Sequence, residues 1–436
     1  MGIPNLIFVV VFLAACILFW RNASKISRNI KLGMPLDRSD RKGERWRLMT
    51  LVAFGQKKMF SRPWPALLHF FVYAGFVIIN IEVAEIVIDG IFGTHRVLSV
   101  AGGLYPLMLA SFEVLAFLVT AGCVIFLIRR NITKVKRLVM KELDGWPKTD
   151  ANLILIMEIS LMTAFFFMNA ADRSLFISGH PHYNVDIGFM PVSGYLAGFF
   201  SGWESSQLVF LERFCWWFHI IGILAFLNYL VVSKHLHIIL AFPNVFFSRL
   251  EPKGKFDNLE SVTGEVKLML DPTLTPPPAP ETPLKFGARD ATDLSWKQLL
   301  DAYTCTECGR CTSECPANIT GKKLSPRKIM MDTRDRIDEI GKNLDKGKKP
   351  GEDGKALLND YISPEELWAC TSCNACVQAC PVNIDPLSII MDLRRYLVME
   401  QSAAPNEINL MLTNIENNQA PWQFSPADRL NWAQEK

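Results

Sequence analysis

Three features are scarce in this chain of 436 residues, and each scarcity argues against a class of structure. The polar C-terminal part lacks the apolar and polar alternation of strands, which argues against a compact strand-rich domain. No basic residue precedes the first apolar run, Leu6–Trp20, whereas a secretory signal peptide carries its positive charge before that run. Residues 174–207 contain no lysine or arginine, although basic residues crowd other loops. These features favour an uncleaved membrane protein without a strand-rich domain.

Five long apolar runs predict five membrane spans. Residues 21–62 carry twelve Lys/Arg against three acids, and seven basic residues lie between Arg129 and Lys148, so both loops are predicted to be cytoplasmic. The opposite loops, 90–103 and 172–207, carry only Arg96 and Arg173. The N-terminus is therefore predicted outside, and the C-terminus in the cytoplasm. The predicted spans are Leu6–Trp20, Pro63–Asp89, Leu104–Leu127, Asn152–Met168 and residues 208–242.

Composition predicts three parts: a membrane domain at 1–249, a proline-rich linker at 250–284 and a polar domain at 285–436. Asp271–Pro283 in the linker is expected to be extended polyproline. The insertion at residues 341–360 is predicted to be a solvated loop. Helices are predicted in the polar domain around Leu294–Tyr303, Pro326–Ile340, Pro364–Ala369 and Pro386–Gln401.

Three of the seven histidines lie in the last apolar run, which is predicted to be one continuous helix. His219 and His237 would then be separated by about five turns, so they would share one face about 27 Å apart. Imidazoles stacked near both ends of a membrane helix favour two haem irons. The alternative is a pair of interfacial histidines beside Trp216 and Lys234.

Topology suggests which histidines meet. Span two runs outward and span five inward, so His69 and His237 are both predicted near the cytoplasmic surface, where they would ligate an inner haem. His219 lies on the outer side without an obvious partner. His95, in the loop after span two, is the first candidate, and His180 and His182 are weaker ones. A five-coordinate outer haem, or a solvated loop histidine at position 95, remains open.

Eight of the eleven cysteines form two C-x2-C-x2-C-x3-C-P runs, which are typical of [4Fe–4S] ligation. In such runs the fourth cysteine ligates the other cluster. Structural zinc is the alternative, which two complete runs with both prolines disfavour. Cys16, Cys123 and Cys215 lie in apolar runs and are interpreted as core residues. The predicted ligand sets are Cys305, Cys308, Cys311 and Cys380 for one cluster, and Cys370, Cys373, Cys376 and Cys315 for the other.

Acidic residues also occur within or beside the predicted spans. They could exchange protons with a quinone, but interhelical hydrogen bonding or a wet interface is the favoured interpretation for each one. These residues are Glu82, Glu85, Asp89, Glu113 and Glu158.

Motifs in both halves resemble known redox families. Residues 1–242 resemble the cytochrome b subunit of respiratory nitrate reductase and the membrane subunit of heterodisulfide reductase. The matching motifs are Arg62-Pro63 with His69, Trp216–His219 and Ser233–His237. Residues 285–436 resemble the α-helical ferredoxin of heterodisulfide reductase iron–sulfur subunits and the soluble part of membrane-bound electron-transfer-flavoprotein:quinone oxidoreductases. The matching motifs there are Ser295–Leu300, Cys308–Cys311, Leu367–Cys370 and Arg394–Val398.

The resemblance implies an all-α fold, a five-helix transmembrane cytochrome b bundle plus a cytoplasmic α-helical ferredoxin domain. It implies two [4Fe–4S] clusters, one or two haem b groups and a quinone substrate such as menaquinone. The expected protein is a subunit of the bacterial inner membrane that moves electrons between a cytoplasmic redox partner and the quinone pool.

The resemblance also suggests partners. Fused relatives continue into a cysteine-rich CCG domain, and this sequence stops about where that domain would begin, so a separate CCG-domain iron–sulfur subunit is expected. An electron-transfer flavoprotein or a dehydrogenase is the expected donor, and no nucleic acid is expected. The alternatives are a quinol-dependent subunit that reduces disulfides or sulfur compounds, and a haem-free, membrane-tethered ferredoxin relay.

Overall fold

The computed structural model describes residues 2–275 and 285–434. Within these ranges the chain forms helices and turns, without a strand, and only two isolated β-bridges occur. The all-α prediction is therefore confirmed. Most of the predicted polyproline segment, Asp271–Pro283, lies outside the described residues.

Five helices are long and apolar enough to cross a membrane. Each extends beyond its predicted apolar core at one or both ends. Pro63 and Pro147 lie in the first turns of their helices, where a missing amide hydrogen costs little. The five helices are α1 (Ile3–Ile30), α3 (Pro63–Phe92), α4 (Leu104–Asn131), α5 (Trp146–Ile177) and α7 (Ser205–Leu230).

Short elements connect these five helices. Before α3, helix α2 (Lys42–Met49) runs into a π-helical turn at Thr50–Phe54. Between α5 and α7, helix α6 (Ser193–Ala197) lies in the long loop that was predicted to be on the outer side.

Helices α3, α4, α5 and α7 form the bundle, and α1 packs along its side. Phe8 of α1 is buried and its ring contacts Trp216 of α7, with 5.6 Å between the centroids. The opposite face of α1 leaves large apolar side chains exposed at the spacing of one helix face, which is typical of lipid contact. These residues are Ile3, Leu6, Val10, Leu13 and Ile17.

The prediction of one continuous helix over residues 208–242 is wrong. Helix α7 ends at Leu230, and Ser233 has extended backbone angles (φ −109°, ψ 152°). A 3-10 turn, Lys234–Leu236, then leads into α8 (His237–Phe246). His219 and His237 therefore lie on different helices, and the prediction that they share one helix face is wrong.

Asp150 of α5 explains the break. Its carboxylate accepts hydrogen bonds from the Tyr229 hydroxyl (2.6 Å), the Ser233 hydroxyl (2.7 Å) and the Lys234 amide (3.2 Å). The last bond gives Lys234 N–H a side-chain partner in place of a helical carbonyl. Residues 231–236 contain no glycine or proline, so the local sequence gave no stop signal.

The polar domain is a cluster of helices around one apolar core. The four predicted helices are present as α10 (Trp296–Thr304), α13 (Pro326–Asp345), α15 (Pro364–Trp368) and α17 (Pro386–Met399). The predicted loop 341–360 begins with a helical segment, because α13 continues to Asp345. Helix α9 in the linker was not predicted. The helices are α9 (Glu260–Leu270), α10 (Trp296–Thr304), α11 (Arg310–Ser313), α12 (Pro316–Ile319), α13 (Pro326–Asp345), α14 (Leu357–Asp360), α15 (Pro364–Trp368), α16 (Ala375–Ala379), α17 (Pro386–Met399) and α18 (Asn406–Asn418).

The polar domain packs against the end of the bundle that carries the basic loops. Asn29, at the end of α1, donates to the Tyr303 hydroxyl at 3.0 Å. Arg62, just before α3, forms a 2.6 Å ion pair with Glu314. Arg137, after α4, donates to the carbonyl of Cys308 at 2.5 Å. Both basic loops, 21–62 and 129–148, therefore contact the cysteine-bearing domain directly.

We expect Gly341→Ala to loosen this contact. A Cβ at position 341 of α13 would lie 2.4 Å from Nδ2 of Asn29. Such overpacking costs about 1–3 kcal/mol. Gly264→Ala in α9 is the matched control, because a Cβ there meets open space and both changes carry the same gain in helix propensity. Thermal unfolding in detergent should give a lower midpoint for Gly341→Ala than for Gly264→Ala. Equal midpoints would contradict the close contact.

Candidate metal centres

The eight clustered cysteines line two cavities in the polar domain. Four of them surround a cavity of about 390 Å³, including its open mouth, and four surround one of about 310 Å³. Each cavity takes three cysteines from one run and the fourth from the other run, which is the grouping expected from the spacing. We call them cavity 1 (Cys305, Cys308, Cys311 and Cys380) and cavity 2 (Cys315, Cys370, Cys373 and Cys376).

The two cysteine runs fold in the same way. A left-handed residue starts the short helix in each run: Gly309 (φ +71°) before α11 and Asn374 (φ +59°) before α16. Backbone amides point at sulfur, since Ile384 N–H lies 3.3 Å from Cys380 Sγ and Ser372 N–H lies 3.4 Å from Cys370 Sγ. Amide donors of this kind stabilise the charge on cluster ligands.

The donor set fits a cubane cluster. Four cysteines line each cavity, and two complete C-x2-C-x2-C-x3-C-P runs supply them. Cysteine runs with this spacing are typical ligands of [4Fe–4S] clusters.

Arginines hold the cavity 1 loop against the membrane domain. Arg327 is fully buried and donates to the carbonyl of Arg137 (2.6 Å) and the carboxylate of Glu142 (2.6 Å). The loop passes so close that a Cβ at Gly309 would lie 2.5 Å from Arg327 Nη1. With its positive φ, position 309 therefore requires glycine.

A buried ion pair joins the two halves of the protein. Lys234, in the break between α7 and α8, donates to Glu307 at 2.5 Å, and their side chains are 5% and 3% exposed. Arg334 pairs with the other carboxylate oxygen of Glu307 at 3.0 Å. Burial would raise the pKa of Glu307, but Lys234 and Arg334 outweigh it and lower that pKa below its usual value. Glu307 lies between Cys305 and Cys308, so the contact connects the histidine segment to a cysteine loop.

Sequence reasoning missed this pair. The sequence predicts a role neither for Lys234 nor for Glu307. A lysine followed by two histidines at the end of an apolar run was the available signal. It could not indicate a partner more than seventy residues away.

His69, His235 and His237 lie together at the end of the bundle that faces the polar domain. His69 is within electrostatic range of His237, and the rings of His235 and His237 lie 5.8 Å apart. His69 Nδ1–H can donate to Gln56 Oε1 at 3.1 Å, and His237 Nδ1–H to the Lys234 carbonyl at 3.3 Å. This tautomer leaves Nε2 of each ring for a metal, as in most metal-bound histidines.

His219 has the same arrangement deeper in the bundle. It is 2% exposed, and its Nδ1 lies 2.9 Å from the Leu161 carbonyl. His95 instead lies 3.4 Å from Asp172, which follows Leu161 on α5 by about 16 Å of helix. The structure therefore places His95 and His219 against different parts of α5. His180 and His182 lie beside Tyr183, each ring 5.2 Å from that of Tyr183.

Four of the five acids near the spans act as hydrogen-bond acceptors within the fold. Glu85 accepts from Leu98 N–H (2.8 Å), Asp89 from Arg96 N–H (2.7 Å), and Glu113 from Val192 N–H (2.9 Å). Glu82 pairs with Arg96 at 3.0 Å. The partners lie in the segments after α3 and before α6, so these carboxylates bind loops to the bundle.

Comparison with known proteins supports the coarse assignment. Residues 304–384 match the family of 4Fe-4S dicluster domains. The chain is 30% identical over 460 aligned positions to the probable iron-sulfur-binding oxidoreductase FadF of Bacillus subtilis, covering 99% of this chain and 61% of that protein. It is 26% identical to the EtfAB:quinone oxidoreductase of Syntrophomonas wolfei, covering 99% and 60%.

A shorter match, 34% identical, is with a probable membrane-anchored ferredoxin of Chromohalobacter salexigens, covering 34% of this chain and 24% of that protein. No solved structure matches. The chain spans about three fifths of the length of the first two relatives. The comparisons and the five apolar helices support a membrane-associated iron–sulfur protein of the electron-transfer oxidoreductase type.

We expect Lys234→Met to destabilise the protein, because it leaves a buried carboxylate with one partner fewer. Removing one member of a buried pair typically costs about 3–5 kcal/mol, and the remaining Arg334 contact places this case near the lower figure. The double variant Lys234→Met/Glu307→Gln should recover part of the loss. Lys323→Met, in an exposed pair with Glu365, is the control, with a change within about 0.5 kcal/mol. Thermal unfolding measures all three, and equal midpoints for the two single variants would refute the buried contact.

Proposed function

We propose that the protein is a membrane-anchored electron-transfer subunit that moves electrons between a cytoplasmic redox partner and the quinone pool. The observation that carries this proposal is the junction between the domains. Cavity 1 lies on one side of the Lys234–Glu307 pair, and His69 and His237 lie on the other. A cysteine cavity and a histidine pair joined in this way suit redox groups in series.

The cysteine residues are proposed to hold two [4Fe–4S] clusters, one in each cavity. Once bound, the clusters and a b-type haem supply one-electron chemistry, and the protein supplies binding, orientation and charge. Cys373 of cavity 2 is exposed, whereas Arg62, Arg137 and Lys234 hold the cavity 1 side of the domain against the bundle. Cavity 2 is therefore the proposed contact point for the soluble partner.

His69 and His237 are the proposed ligands of an inner haem. Each ring has its Nδ1 placed to donate a hydrogen bond, which fixes the tautomer that presents Nε2 to iron. His219 has the same property and is the proposed ligand of an outer haem. Because His95 lies against Asp172, the outer site is proposed with His219 as its only histidine from this chain.

Location and partners follow from charge and similarity. The loops rich in Lys and Arg lie on the side of the polar domain, which supports a cytoplasmic position for that domain in a bacterial inner membrane. The EtfAB:quinone oxidoreductase relative supports an electron-transfer flavoprotein as the donor and a quinone, menaquinone in this proposal, as the acceptor. A CCG-domain iron–sulfur subunit and another dehydrogenase donor are further proposed partners.

The decisive experiment is a dithionite-reduced minus oxidised visible spectrum of the purified, cofactor-loaded chain, with haem counted per polypeptide. Two b-type haems support the complete proposal, and one supports the His69/His237 site alone. A chain with both clusters and no haem would refute the cytochrome proposal and leave a membrane-tethered ferredoxin relay.

Replacing either inner histidine should remove the same haem. We expect His69→Ala and His237→Ala to lose identical haem absorbance, because both remove a ligand from one iron. His235→Ala is the matched comparison: its ring is adjacent and its Nδ1 is likewise bonded, to the Ser233 hydroxyl at 3.1 Å, so this variant keeps the haem only if His237, the proposed ligand, is the residue that binds iron. Haem content and the reduced spectrum measure the result. Loss of different haems in the two variants would contradict a shared site.

Single cysteine substitutions should reveal the crossed ligation. Cys380→Ala and Cys305→Ala should leave the same surviving cluster signal in electron paramagnetic resonance, because both residues line cavity 1. Cys315→Ala should leave the other signal, although it belongs to the same sequence run as Cys305. If Cys315→Ala and Cys305→Ala gave the same spectrum, each run would hold its own cluster and the crossed assignment would fail.

A further inference from the structure

The two cavities are built from nearly identical motifs, but their charged surroundings differ. Three cations approach cavity 1. Lys58 lies within electrostatic range of Cys380, and Arg137 and Arg310 lie within range of Cys308. All three side chains come from, or bind to, the junction between the membrane and polar domains.

These cations are bound by neutral groups. Lys58 donates to Asn383 Oδ1 (2.9 Å) and to the Val377 carbonyl (3.3 Å). Arg310 donates to the carbonyls of Lys58 and Met59, each at 3.2 Å.

Arg137 donates to the carbonyl of Cys308 at 2.5 Å. Over residues 2–275 and 285–434, none of Lys58, Arg137 and Arg310 forms a salt bridge. Their positive charges are therefore not cancelled by carboxylates in direct contact.

The remaining charges beside cavity 1 do not reverse this balance. Glu307 and Arg334 lie within electrostatic range of Cys305. Glu307 is paired with both Lys234 and Arg334, and these two cations also contact Asp150 (4.0 Å) and Asp335 (3.3 Å), so this group has two positive and three negative charges. With Lys58, Arg137 and Arg310, the surroundings of cavity 1 keep a net positive charge.

Charges of both signs lie beside cavity 2. Arg394 lies near Cys370 and donates to its carbonyl at 2.5 Å, while its guanidinium lies 4.8 Å from the centre of the Trp368 ring. Asp385 lies within electrostatic range of Cys376. Arg394 and Asp385 oppose each other, and the exposed Cys373 admits water that screens them.

Reduction of an iron–sulfur cluster adds one negative charge, so nearby positive charge stabilises the reduced form and raises the reduction potential. Water at the exposed edge of cavity 2 also stabilises that charge. The half-buried Lys58 and Arg137 and the buried Arg310 act in a lower dielectric than water and have the larger effect.

We infer that cavity 1 holds the cluster of higher reduction potential, so that electrons move downhill from the exposed cavity 2 toward the membrane. This inference rests on the proposed function, since it requires a [4Fe–4S] cluster in each cavity. The step is a single electron transfer: the cluster in cavity 2 is oxidised by one electron and the cluster in cavity 1 is reduced by the same electron. No bond or proton changes place.

The test is a redox titration of the full-length, cluster-loaded chain in detergent, followed by electron paramagnetic resonance. Lys58→Gln removes one charge and keeps an amide donor for Asn383 and Val377. It should lower only the higher of the two midpoint potentials. We expect the electron distribution between the clusters to shift at least tenfold, which is about 59 mV for a one-electron couple.

Two further variants complete the design. Arg394→Gln should lower only the lower potential, because Arg394 faces cavity 2. Lys323→Gln should leave both potentials unchanged, because Lys323 is exposed in a pair with Glu365. Should Lys58→Gln fail to load both clusters, Arg137→Gln carries the same expectation.

Opposite assignments would overturn the inference: a fall of the lower potential in Lys58→Gln, or a fall of the higher one in Arg394→Gln. Unchanged potentials in Lys58→Gln and Arg137→Gln would also overturn it. Failure of the proposed function has a different signature, since the unmodified chain would then lack two [4Fe–4S] signals.

Discussion

Among the ion pairs between the two domains in the described residues, Lys234–Glu307 is the one in which both side chains are at most 5% exposed. Each charge would be costly to bury alone, and each is supplied by a different half of the chain. Lys234 reaches its partner only because α7 stops at Leu230 and the following residues turn toward Asp150. Glu307 is held in a left-handed conformation (φ +56°) within the first cysteine run. The end of a membrane helix and a cysteine loop are thus fixed to each other.

Around that pair, two similar cysteine motifs acquire different surroundings. Gly309 and Asn374 begin equivalent short helices, and both runs end with a Cys-Pro pair. The first run faces the basic ends of α3 and α4, while the second keeps Cys373 at the surface. The two runs share one motif, but their surroundings differ, because the first run lies against the ends of the membrane helices and the second exposes Cys373.

Much of the architecture could be predicted from the sequence because it depends on local patterns. Apolar runs long enough to span a bilayer, prolines at helix starts and the spacing of Cys305 to Cys315 are all visible within short windows. The break after Leu230 could not be predicted, since it depends on Asp150 and not on a local glycine or proline. The position of His95 was missed for a similar reason. Its loop is folded by Asp89, which accepts the backbone amides of Arg96 and Val97, and its ring is drawn to Asp172.

The exchange of the fourth cysteine between the two runs has a consequence for biosynthesis. Cys305, Cys308 and Cys311 leave the ribosome well before Cys380, so cavity 1 has only three of its thiols until the second run has been made. By then all five apolar helices have been synthesised, since they precede residue 231. An iron–sulfur cluster with all four cysteine ligands can therefore form in cavity 1 only after the membrane helices have been synthesised. The assembly machinery would meet this protein at the membrane surface.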